Sequence, residues 1–100
     1  MKENIKTVND LGAFFNKIRV FEQFALNRIG VFGSFARGEK FNDIDILIES
    51  SDKMSKFVNL KNILESQSGI RFDVVVDRYA DPIILNRAKK DIVYVKEHQE

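Results

Sequence analysis

Hydrophobic residues recur every three or four positions near the N-terminus, which is the spacing of one face of a helix. The stripe covers residues 7–26 and consists of Val8, Leu11, Phe14, Phe15, Ile18, Phe21 and Ala25. Thr7 suits the N-cap of such a helix, and Asp10 in its first turn suits the helix dipole. We therefore expect one amphipathic helix whose Phe-rich face lies in the core. A partner-binding face is the alternative, because Phe21 and Phe24 are offset from the stripe.

Three later segments are short and rich in β-branched and aromatic residues, as strands are. They cover residues 28–32, 43–49 and 71–77. After the first of them, Gly33-Ser34 predicts a turn and then a short helix that ends near Arg37. Residues 92–95 predict a further extended piece close to the C-terminus.

Two more helices separate and follow these strands. The first has an apolar face formed by Met54, Phe57, Val58, Ile63 and Leu64, and Gly69 is a good stop signal for it. The second begins at Asp81-Pro82, and its apolar residues are expected to pack on the sheet: Ile83, Ile84, Leu85 and Ala88. This order predicts one α/β (α+β) domain over residues 1–100, with a small mixed sheet, helices on one face and acidic residues on the other.

Aspartates alternate with isoleucines at the start of the second strand. On a strand, Asp43 and Asp45 project to one face, away from the isoleucines. Asp73 has the same phase in the third strand, so neighbouring strands would bring the three carboxylates together. Because adjacent carboxylates repel, they favour a divalent cation with hard oxygen ligands, Mg²⁺ or Mn²⁺. Solvated carboxylates are the alternative, more plausible for Asp73 on an edge strand than for the pair, because Asp is depleted in strands.

The turn before these aspartates has the features of a phosphate-binding site. Gly33-Ser34 allows backbone N–H groups to approach an anion, and Arg37 supplies a cation for it. A Gly-Ser pair alone is a weak signal, because most such pairs are plain turns. Its value comes from the aspartates that follow.

The motifs GSFARGE, DID and the later FDVVV together resemble the minimal nucleotidyltransferases of the DNA polymerase β superfamily, the MNT domains encoded beside a HEPN-domain partner. The likeness runs from Ile29 through Val93-Tyr94. Two features depart from the family pattern: the segment between Ser34 and Asp43 is shorter, and Asn42 stands where serine is common.

The resemblance implies a role for each motif. Gly33 and Ser34 would bind the triphosphate of a nucleotide, Asp43 and Asp45 would bind two Mg²⁺ ions, and Asp73 would be the third carboxylate. The activity it implies is transfer of AMP from ATP to a tyrosine hydroxyl on a HEPN toxin, so that this chain would be the antitoxin. A homo- or hetero-oligomer would be compatible with that role.

Composition narrows the functional classes. The net charge of +1 gives no strong field for nucleic acid, and no apolar run is long enough to span a membrane. The absence of cysteine excludes thiol catalysis and fits a cytoplasmic protein. A template-directed polymerase is disfavoured, because the sequence offers no basic channel.

A second functional class stays open at this point. The chain could be a binding module that neutralises a partner by contact, with the three aspartates inactive or only sensing a nucleotide. The shortened Ser34–Asp43 segment favours keeping this alternative, as does an open site that gives little help in excluding water.

Overall fold

Two of the predicted strands lie side by side and parallel in the computed structural model, which describes residues 4–97. These are β2 (Asp43–Ile48) and β3 (Arg71–Val76), joined by a crossover through a helix of 15 residues, α4 (Met54–Ser68). β1 (Arg28–Phe32) pairs antiparallel with β2 on one side and with β4 (Val93–Lys96) on the other. The sheet order is therefore β3-β2-β1-β4, which confirms the predicted mixed sheet.

The N-terminal helix is broken, where the sequence predicted one helix over residues 7–26. α1 (Val8–Lys17) and α2 (Val20–Gln23) are separated at Arg19, whose backbone is left-handed with φ of 58°. The Gln23 side chain donates a hydrogen bond to the carbonyl of Ile18 at 2.9 Å and so caps the end of α1. The break turns the Phe-rich face of α2 inwards, and both Phe21 and Phe24 are buried in the core.

The core lies on one face of the sheet. It contains the isoleucines of β2, the aromatic residues of α1 and the apolar face of α4, including Ile44, Ile46, Ile48, Phe15, Phe57, Leu60 and Leu64. Phe15 contacts Phe72 of β3 with ring centroids 6.5 Å apart, so α1 reaches across to the strand at the sheet edge. The isoleucine side of β2 is thus anchored, and its aspartate side is left for other contacts.

The last helix departs from the prediction. α5 (Pro82–Asp91) follows a 3₁₀ turn at Asp77–Tyr79, and Ile83 and Ile84 are exposed instead of packed on the sheet. Only Ala88 of α5 is fully buried among the described residues. Ile92, just after the helix, lies against Gly30 on the sheet face opposite the core. The chain at the end of α5 therefore covers part of the second face of the sheet.

Two further expectations concern the chain ends and membranes. His98, for which the sequence predicts no catalytic or ligand role, lies outside the described residues. Within residues 4–97, no helix is both long enough and apolar enough to cross a membrane.

Candidate functional site

Strand pairing brings the three aspartates onto one face of the sheet. In the parallel pair, Asp45 lies directly opposite Asp73, and Asp43 lies opposite Arg71. Residues paired in this way point to the same side of a sheet. Alternation in the sequence therefore predicted the common face, and the pairing register adds which aspartates are neighbours.

Asp45 is the carboxylate most affected by this arrangement. Its pKa is raised from the ordinary 3.8 to about 6, first by partial burial and then by the charges of Asp73 and Asp43 and a hydrogen bond with Asp73, while the charge of Arg37 opposes the rise. A large fraction of Asp45 is therefore protonated in weak acid, where an ordinary aspartate would be an anion. A cation bound among these carboxylates would therefore be stabilised.

Hard oxygen ligands and unbalanced negative charge are what Mg²⁺ and Mn²⁺ require, so the chemistry of the three aspartates fits such ions. Even so, within residues 4–97 no three Asp, Glu or His side chains are arranged as a ready-made metal-binding group. The metal ligands remain a prediction.

The turn predicted to bind phosphate lies against the same carboxylate. α3 (Gly33–Ala36) begins directly after Phe32, which pairs with Asp45 across β1 and β2. Gly33 has φ of +76°, and a Cβ at this position would overlap Oδ2 of Asp45. Only glycine fits there. The Ser34 hydroxyl forms no hydrogen bond with any other described residue, and the first N–H groups of the short helix have no helical partner.

Arg37, the cation predicted beside the turn, is held by two acids. Its Nε donates to Oε2 of Glu39 at 3.0 Å, and its Nη1 donates to Oδ2 of Asp91 at 2.5 Å. The hydrogen bonds to Glu39 and then Asp91 raise the pKa of the Arg37 guanidinium. The sequence gave Asp91 no role. The one available signal was an acid at the end of α5, after Lys89 and Lys90.

An open groove borders the site at the start of β2 and β3. It has a volume of about 610 Å³ and is lined by Phe41, Asn42, Asp43, Gly69, Ile70 and Arg71. Arg71 was not singled out from the sequence, yet its register beside Asp43 puts a guanidinium at the edge of the acidic cluster. The groove lies on the β3 side of Asp43, whereas Gly33 and α3 lie on the β1 side of Asp45.

Comparison with known proteins agrees with this geometry. The sequence profile of the family "Nucleotidyltransferase domain" matches residues 15–97. The chain is 34% identical over 84 residues to the protein adenylyltransferase MntA of Thermococcus cleftensis, covering 80% of this chain and 85% of that one.

Two solved structures share the fold. A toxin-antitoxin crystal structure with AMP-PNP has a TM-score of 0.69 and 23% identity, over 84% of this chain and 73% of that chain. A complex of the tri-AMPylated Shewanella oneidensis HEPN toxin with its MNT antitoxin has a TM-score of 0.65 and 20% identity, over 88% and 74%. At these identities, the likeness shows the fold alone.

The family match covers most of the chain, and it agrees with the mixed sheet, the glycine turn and the aspartate pair that opens β2. It also confirms the sequence-based prediction of an enzyme of the transferase class. The chain belongs to the nucleotidyltransferase domain family.

Proposed function

We propose that this protein transfers AMP from ATP to a hydroxyl of a partner protein, in an Mg²⁺-dependent reaction. The observation that carries the proposal is the juxtaposition of Asp45 with Asp73 on one sheet face, with Gly33 against the same Asp45 carboxylate. Donor phosphates and acidic ligands have to meet at one point for nucleotidyl transfer. The similarity to a protein adenylyltransferase supports AMP as the transferred group.

Each site residue has a distinct role in this proposal. Asp43, Asp45 and Asp73 would hold two Mg²⁺ ions, or Mn²⁺ instead, which when bound neutralise phosphate charge and polarise the acceptor oxygen. The backbone at Gly33 and the free hydroxyl of Ser34 donate hydrogen bonds to the triphosphate.

Asp73, which also has this second role, and Arg37 act during the transfer itself. The acceptor oxygen bonds to the α-phosphorus of ATP as the bond to pyrophosphate breaks. Asp73 accepts the hydroxyl proton of the acceptor, and the charge of Arg37 offsets the negative charge of the leaving pyrophosphate.

The proposed partner is a HEPN-domain toxin, with this chain as its antitoxin. Support comes from the MNT antitoxin complex, whose HEPN toxin is AMPylated. The open groove beside Asp43 gives an acceptor side chain a route to the carboxylates from the β3 side. Because that groove is open to solvent, the partner itself would complete the site and exclude water.

A contact-only antitoxin is the second candidate. It is favoured by the absence, within residues 4–97, of three acidic side chains arranged as a metal-binding group. In that case nucleotide would bind weakly or only as a signal, and neutralisation of the partner would not need the aspartates.

A thermal melt with and without saturating Mg²⁺-ATP tests the nucleotide site. Ligand at about a hundred times its Kd stabilises the native state by about 2.7 kcal/mol, which raises Tm by several degrees in a domain of this size. We expect that shift in the wild type and its loss in the Asp43→Asn/Asp45→Asn double variant, each measured against its own ligand-free melt. Glu22→Gln, an exposed acid on α2, is the control and should keep the shift.

Transfer to the partner separates the two candidates. The HEPN-domain protein proposed as the partner is incubated with this chain, Mg²⁺ and ATP labelled at the α-phosphate. Catalysis predicts that Asp43→Asn abolishes labelling and neutralisation together. If Asp43→Asn instead neutralises the partner as well as the wild type does, the contact-only candidate replaces the enzyme for this chain.

A further inference from the structure

Arg37 is fixed by the last residue of a helix that lies far away in the sequence. Its guanidinium contacts Asp91 at 2.5 Å across a separation of 54 residues, while Glu39 holds the other side at 3.0 Å. The Asp91 side chain is only 26% exposed, against 43% for that of Arg37. The contact therefore ties the segment after α3 to the C-terminal end of α5.

The position of Asp91 is unfavourable for the helix that carries it. The last turn of a helix favours cations, because unpaired carbonyl groups give it partial negative charge. Lys89 and Lys90 obey this rule, and Asp91 directly after them does not. The contact with Arg37 explains why an acid stands at this unfavourable position of the helix.

The two contacts leave part of the guanidinium free. Arginine has five N–H donors, and only the Nε and one Nη1 donor are used by Glu39 and Asp91. The charge of Arg37 also acts on Asp45, where it partly opposes the rise in the pKa of that carboxyl. The cation therefore lies close to the carboxylate cluster. An arginine in this position has donors left for phosphate oxygens.

We propose that Asp91 is a positioning residue, which holds the Arg37 guanidinium in place for the phosphates of a nucleoside triphosphate. The proposal rests on the proposed function, because it assumes that Arg37 contacts the triphosphate. An arginine without its anchor has many rotamers, and it must lose that freedom when the nucleotide binds. Ordering one such side chain corresponds to about a threefold to tenfold loss of affinity.

Removing Asp91 also removes a negative charge, which by itself would strengthen ATP binding. Two variants separate the effects. Asp91→Asn and Asp91→Ala both lose the charge, but only asparagine keeps an oxygen that can accept a hydrogen bond from Arg37. The difference between them therefore reports the anchoring contact. Asp91 is partly exposed on the surface, where such substitutions leave a domain folded.

The experiment is a titration of each variant with ATP in excess Mg²⁺, followed by melting temperature or calorimetry. We expect Asp91→Ala to bind ATP about threefold to tenfold more weakly than Asp91→Asn. In an Arg37→Ala background the same pair should bind equally, because the anchor then has nothing to hold. Glu49→Ala is the matched control: it removes another surface contact to arginine, between Arg28 and Glu49 at 2.7 Å, and should leave ATP affinity unchanged.

Each outcome decides a different point. Equal affinities of Asp91→Ala and Asp91→Asn would overturn the positioning role, while wild-type binding would leave the proposed function intact. A difference that persists without Arg37 would also overturn it, because Asp91 would then act by another route. A wild type that shows no response to Mg²⁺-ATP would overturn the proposed nucleotide site itself, and the positioning role with it.

Discussion

Gly33 lies directly against the carboxylate of Asp45, so closely that a Cβ on Gly33 would occupy the place of Oδ2. The turn at Gly33 and the Asp45 carboxylate therefore form a single packed unit. Movement of one displaces the other. Gly38, just after α3, has nearly the same backbone conformation but makes no such contact, so the two glycines can be compared.

Gly33→Ala should damage both stability and nucleotide binding, whereas Gly38→Ala should affect stability only. The φ angles are +76° and +75°, and a Cβ at Gly38 would meet nothing within 4 Å. Each substitution costs about 1–2 kcal/mol for the left-handed backbone. Gly33→Ala adds the overlap with Asp45, so we expect a greater loss in urea denaturation and no Tm shift with Mg²⁺-ATP. Equal losses in the two variants would contradict the packed unit.

The raised pKa of Asp45 predicts an unusual pH dependence of stability. Because its folded pKa of about 6 exceeds the ordinary 3.8, protonation favours folding. Its contribution is complete below pH 4 and is lost as pH rises through 6. Asp45→Asn, which is always neutral, should therefore gain stability relative to the wild type between pH 4 and 7. A two-unit shift would give about 3 kcal/mol, but partial exposure and screening reduce our expectation to about 1 kcal/mol.

Denaturation of both proteins at several pH values in low Mg²⁺ measures this difference. Asp52→Asn supplies a contrast of opposite sign, because the hydrogen bond from Lys56 lowers the pKa of Asp52. Asp52→Asn should be less stable than the wild type at neutral pH, and this difference in stability should shrink as the pH falls. A difference between wild type and Asp45→Asn that stays constant with pH would show that Asp45 is not perturbed.

Thr7→Ala should destabilise the chain by about 1 kcal/mol, because it removes the N-cap of α1. The Thr7 hydroxyl accepts from the Asp10 N–H at 3.1 Å, and the Asp10 carboxylate accepts in return from the Thr7 N–H at 3.1 Å. Thr7→Ser keeps this reciprocal pair and serves as the control. Chemical denaturation at neutral pH measures both. A loss of equal size in Thr7→Ser would indicate that the threonine methyl group, and not the cap, is responsible.

Ile83→Gln should change the free energy of unfolding by less than about 0.5 kcal/mol, because Ile83 is 63% exposed. By contrast, Ile46→Ala on the core side of β2 should cost about 2–5 kcal/mol, since Ile46 is fully buried. Thermal melts of the two variants test where α5 lies. A large loss in Ile83→Gln would restore the prediction that this residue packs on the sheet.

The sequence predicted those features that depend on local periodicity. Strand alternation put Asp43 and Asp45 on one face of their strand and gave Asp73 the same phase, because side-chain direction repeats every two residues. The common face also required the two strands to be neighbours, as they are in the sheet. The Gly33-Ser34 turn was predictable from local sequence, since its glycine and the strand before it are neighbours in the sequence. The family resemblance then ordered these pieces into a nucleotidyltransferase fold.

Features that depend on long-range packing were not predictable in this way. The break at Arg19 leaves the apolar spacing almost unchanged, so periodicity cannot show it. The helical spacing in α5 is real, but the sheet surface it was expected to cover is partly occupied by Ile92. Asp91 meets Arg37 only because the chain returns after 54 residues, a distance over which single-sequence patterns carry no information.

The residues that form the contacts at the site are spread along the chain, so they emerge at different times during synthesis. Gly33 and Asp45 leave the ribosome first, Asp73 follows after the α4 crossover, and Asp91 comes near the end. β4, which pairs with β1 behind the glycine turn, is later still. A nascent chain would therefore expose its acidic residues well before the surrounding contacts exist. Nucleotide binding should accordingly appear only in chains extended through β4, to residue 96, so that premature release would give a product without the assembled site.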